Sequence, residues 1–95
     1  MNEKSTPQPK FKLGQIVITH GAQAVLSHEE VRTALGRHVT GDWGQVCPED
    51  WQENELSLRE GFRLLSAYTD RNGVKFWLIT EADRSYTTIL LPAEY

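Results

Sequence analysis

His38 and Asp42 stand four residues apart, with Trp43 directly after them. A carboxylate can orient an imidazole and raise its basicity, the pairing on which general acid–base catalysis relies. The competing reading puts His38 over a helix C-terminus, where its charge suits the helix dipole, and leaves Asp42 to shape a Gly-rich turn. A second group is Glu81, Asp83, Arg84 and Ser85, followed by Thr87 and Thr88. A carboxylate and an arginine on neighbouring strands could serve as base and phosphate clamp. The same residues also suit a hairpin loop with an Asx-type turn and a local ion pair. The catalytic candidates are therefore His38, Asp42, Glu81 and Arg84. His20, His28, His38 and Cys47 are ligand types, but neither Cys-x-x-Cys nor His-x-x-x-His spacing occurs, so neither a metal site nor a cofactor is expected. Trp43, in a Gly-flanked loop, is the best candidate for an exposed interface anchor, with Asp42 and Asp83 as further binding candidates.

The elements that must position these residues can be read from spacing. Phe11, Leu13 and Ile16–Ile18 suggest a strand at Gln15 to Thr19, and its apolar run predicts burial on both faces. Ala22 to Leu26 suits a short helical turn. Ser27 and Glu30 have capping-box spacing, and Val31, Leu35 and Val39 continue as one apolar stripe to a stop at Gly41. Pro48 with Glu49 and Asp50 opens a second helix, whose inner face is read as Trp51, Glu55 and Leu58 and which Gly61 ends. Arg63 to Thr69 and Val74 to Thr80 flank Asn72-Gly73, the strongest short hairpin signal, and Tyr86 to Leu91 is a third strand stopped by Pro92. The order β-α-α-β-β-β predicts an α+β fold: a C-terminal antiparallel three-stranded meander with helices packed on one sheet face. An unprotected edge at Tyr86–Leu91 would offer a homodimer its pairing surface.

With 95 residues the chain has room for one domain. Residues 1–10, polar and holding Pro7 and Pro9, are expected to form a disordered tail, and 11–95 the domain. One cysteine makes no internal disulfide. Neither a membrane-spanning run nor a signal-peptide core is visible, so a cytoplasmic location is expected. The net charge of −3 is uneven: residues 1–28 carry +2, residues 29–60 carry −5, and the remainder balances. An acidic middle disfavours attraction to nucleic acid, although such a pattern is most often only a solvated helix face.

From Phe11 onward the sequence resembles a group of small bacterial proteins of plasmids and other mobile genetic elements. The resembling segments are Phe11–Val17, Arg37–Gly44, Arg63–Tyr68, and Ile79–Ser85 with Thr87–Pro92. The resemblance implies a mobile-element setting and carries no activity with it. The leading expectation is an accessory or regulatory protein that binds a protein partner, without enzymatic activity. The alternative is a ribonuclease-like or toxin-like domain of RelE or barnase type, to which the element order is similar, with Glu81, Arg84, Arg63 and His38 as its candidates. A third reading, an acidic DNA mimic acting against restriction, has only the modest charge of residues 29–60 behind it.

Overall fold

The computed structural model describes residues 8–95. Its elements are β1 (Gln15–Ile18), α1 (His20–Val25), α2 (His28–Val39), α3 (Pro48–Glu60), β2 (Leu64–Thr69), β3 (Lys75–Thr80) and β4 (Tyr86–Leu90), then a 3₁₀ turn at Pro92–Glu94. The fold is α+β, and β2, β3 and β4 form the antiparallel meander. The sheet is mixed, because β1 pairs in parallel with β4 and gives the order β1-β4-β3-β2.

Local chemistry accounts for the helices. Thr19 caps α1 by accepting from the Ala22 N–H, so that helix starts at His20, where the sequence marks only a strand end. Ser27 Oγ accepts from the Glu30 N–H at 3.1 Å and opens α2. Gly61, at φ 83°, closes α3 in the left-handed region. The hairpin differs in detail from a two-residue Asn-Gly turn. Only Gly73 has positive φ, the Gly73 N–H donates to the Asp70 C=O, and Asp70 Oδ1 accepts from the Asn72 and Val74 N–H groups. The buried Asp70 thus organises the loop, relieving Asn72 of the left-handed position.

Ala22, Leu26 and Ala34 of the helical layer pack on Tyr68, Phe76, Leu78 and Ile89 of the sheet. Three expectations need correction. Strand β1 is not buried on both faces: it lies at the sheet edge with Ile16 44% and Val17 41% exposed. The Tyr86–Leu91 strand offers no dimer edge, because β4 is flanked by β1 and β3. The buried positions of α3 are Asn54 and Ser57, while Trp51 is 37% exposed, because α3 meets the backbone of β2 and polar side chains serve there. Most of the expected tail, residues 1–7, lies outside the described residues, but its end is anchored: the Lys10 N–H donates to the Val39 C=O at 2.8 Å.

Candidate functional site

His38 sits on the inner face of α2, fully buried. Its Nδ1 is 2.5 Å from Ser66 Oγ and its Nε2 is 2.8 Å from Thr80 Oγ1. Thr80 Oγ1 is 2.7 Å from Thr87 Oγ1, which donates to the Leu13 C=O at 2.7 Å. The carbonyl at the end can only accept, and this sets the protons from Leu13 back to His38 Nε2. Thr87 spends its hydrogen on Leu13, so it accepts from Thr80, and Thr80 then accepts from His38 Nε2–H. Burial keeps the imidazole neutral, so Nδ1 carries no hydrogen and accepts from Ser66 Oγ, which leaves one tautomer. Burial, reinforced by the charge of Arg84, pushes its pKa down to about 4. This ladder crosses the sheet from β2 to the segment ahead of β1, and all its hydroxyls are buried. It is a satisfied polar core rather than a catalytic dyad: neither His38 nor Ser66 is open to a substrate.

Trp43 is not an exposed anchor. It is fully buried, stacked on Phe11 at 6.1 Å between ring centroids and edge-on to His38 at 5.6 Å. Its indole N–H donates to Glu55 Oε2 at 2.8 Å, the partner that a buried tryptophan needs. Asp42 turns away from this core. It pairs with Arg37 through two bonds, of 2.8 and 3.3 Å, and takes the Gly44 N–H, an arrangement that lowers its pKa. Arg37 in turn lies 4.5 Å over the Tyr68 ring, whose hydroxyl donates to the Asp42 C=O. Asp42 and Arg37 border an open cleft of about 830 Å³ together with Pro9 and Trp51, but their charges are already matched to each other.

Arg84 adopts φ 61°, a left-handed conformation that costs a non-glycine residue roughly 1 kcal/mol. Its guanidinium repays this by donating to the carbonyls of Phe62, Glu81, Ala82 and Ser57, tying the end of α3 to the β3–β4 turn. Glu81 bonds instead to Arg63. Asp83 is exposed and accepts from the Ser85 N–H, an Asx turn whose bonds to Ser85 lower the Asp83 pKa. The four catalytic candidates thus share no cleft. Arg84 meets Glu81 only at its backbone carbonyl, and Phe11 lies between two others, edge-on to His38 and 5.7 Å beneath Arg84. Among the described residues no His, Cys, Asp or Glu cluster gathers to hold a metal ion, and no helix is long and apolar enough to cross a membrane.

What spacing misses is the pair of sheet edges. The outer side of β2 is closed: Leu65 exchanges two bonds with the Asn54 side chain, at 3.0 and 2.8 Å, and Ala67 two with the backbone of Trp43 and Gln45, at 3.1 and 2.7 Å. Among the described residues nothing pairs with the outer side of β1. Gln15 and Thr19 direct their N–H groups to β4, so the alternation of a parallel ladder turns those of Ile16 and Ile18 outward. Beside this edge lies a cleft of about 320 Å³ between β1 and α2. The inward hydroxyls of Ser66, Thr80 and Thr87 were a legible signal, three polar residues at buried strand positions beside a histidine on an apolar stripe. The open edge left none, because which strands are neighbours is a tertiary matter. Comparison with family models, with curated proteins and with solved structures finds no match.

Proposed function

We propose that this protein is a non-enzymatic accessory or regulatory protein of a mobile genetic element, working in the cytoplasm by binding another protein. One observation carries the non-enzymatic part. Each side chain a catalytic reading would employ is committed internally: His38 to Ser66 and Thr80, Arg84 to four carbonyls, Asp42 to Arg37 and Glu81 to Arg63. A ribonuclease needs a base and a free cation converging on one phosphate, and these residues offer neither convergence nor a free guanidinium. The open β1 edge supports the binding part, since unpaired strand groups are a ready template for another chain. The mobile-element setting rests on the resemblance alone. Cross-linking the full-length protein in cells, with mass spectrometry of the adducts, tests the proposal: one partner should recur in independent cultures. Cleavage of RNA by the purified protein, abolished in Glu81→Gln, would overturn it.

A further inference from the structure

We infer that β1 accepts an extended, acidic segment of the partner as a fifth strand of the sheet. This rests on the protein-binding reading and specifies the partner's chemistry. The outward N–H and C=O groups of Ile16 and Ile18 offer main-chain bonds to a strand. Alternate side chains of that strand would point to the helical face, where Ile16, Ile18, Val31 and Leu35 line the cleft. The charges choose the occupant. The cleft is also lined by Arg32 and His28 and by no carboxylate. The nearest acids of α2, Glu29 and Glu30, are engaged by Arg71, whereas Arg32 has no ion-pair partner among the described residues. An incoming strand with apolar residues at every second position and a Glu or Asp near Arg32 complements this surface. A second copy does not, since antiparallel pairing of two β1 strands about a two-fold axis brings two Arg32-bearing faces together without an acid between them. The chain's own N-terminal residues do not either, because Asn2 to Lys10 carry no large apolar side chain apart from the prolines.

The test uses the full chain and a displayed library of random twelve-residue peptides. Selected peptides should alternate apolar residues and carry Asp or Glu, and their binding should slow hydrogen exchange at the Ile16 and Ile18 amides. Ile16→Pro removes an outward N–H without touching the β4 ladder, so the fold is retained. It should weaken the selected peptides about tenfold or more, whereas Ile16→Val, which keeps the N–H, should change affinity by no more than about threefold. Arg32→Glu should favour lysine-bearing versions of the same peptides. Protection elsewhere on the protein, or equal binding by Ile16→Pro, overturns strand addition and leaves the protein-binding reading standing. A dimer that protects the same two amides without peptide also overturns it, by giving the edge to a second copy. No selected peptide at all overturns it too, and only the absence of any recurrent cross-linked partner would take the wider reading down as well.

Discussion

Strands β1 and β2 are the two edges of one sheet, and they are built on opposite principles. β2 is sealed: a buried asparagine and a loop backbone satisfy both Leu65 and Ala67. β1 is four residues long, largely exposed and, among the described residues, paired on one side only. An unpaired edge is a hazard that proteins usually blunt by shortness, charge or cover. Here cover was spent on one edge and only shortness on the other. Edge closure in this fold is thus a matter of one side chain and one loop backbone brought alongside β2, and among the described residues β1 has neither.

Substitutions should expose that difference, the largest effect coming from the sealed side. Gly44 has φ 77°, and a Cβ there would stand 2.1 Å from the Ala67 carbonyl oxygen, a backbone atom that cannot yield. Gly44→Ala should lift the loop from β2, cost roughly 3 kcal/mol or more in denaturant unfolding, and speed exchange at the Ala67 amide. A small cost with Ala67 still protected would mean the seal is not held at that approach.

Acid tests the ladder that joins the two edges. The folded pKa of His38, about 4, lies below the ordinary histidine value of 6.5. Between these values the unfolded chain binds the proton and the folded chain does not. The stability that His38 contributes is whole above pH 6.5 and is lost as pH falls toward 4, a change of up to about 3 kcal/mol. Unfolding measured from pH 7 to 4.5 should show this slope, and His38→Gln should flatten it. Because the ladder ends on the Leu13 carbonyl, the region ahead of β1 should loosen first in hydrogen exchange.

Asn54→Ala leaves two backbone groups of β2 without partners and should cost about 2 kcal/mol in thermal or denaturant unfolding. At the open edge, Val17→Thr should shift stability by less than about 0.5 kcal/mol, since the residue is 41% exposed, the two side chains are similar in shape and no cap is lost. Equal costs for these two variants would erase the distinction between the edges.

Much of this architecture was legible from local chemistry. The Ser27 cap, the Pro48 start, the Gly61 stop and the alternation of Phe76, Leu78 and Thr80 each depend on neighbours within a few residues. Candidate residues were misread where their partners lie far along the chain. Asp42 shapes its turn as expected, but Trp43, next to it, is buried because Phe11, His38 and Glu55 converge on it from three separate segments. Arg84 looked like a phosphate clamp until the end of α3 supplied it with carbonyls.

By itself the sequence determined where the β2–β3 hairpin turns, which residues of β3 face inward, and the α+β class, because capping, glycine geometry and two-residue alternation are short-range physics. Only the tertiary structure decided that β1 inserts beside β4, that the β2 edge is capped while nothing among the described residues covers β1, and that His38 is a neutral buried link. Those outcomes depend on which distant backbone and hydroxyl groups meet, and hydrogen-bond satisfaction across a sheet has no signature in linear spacing.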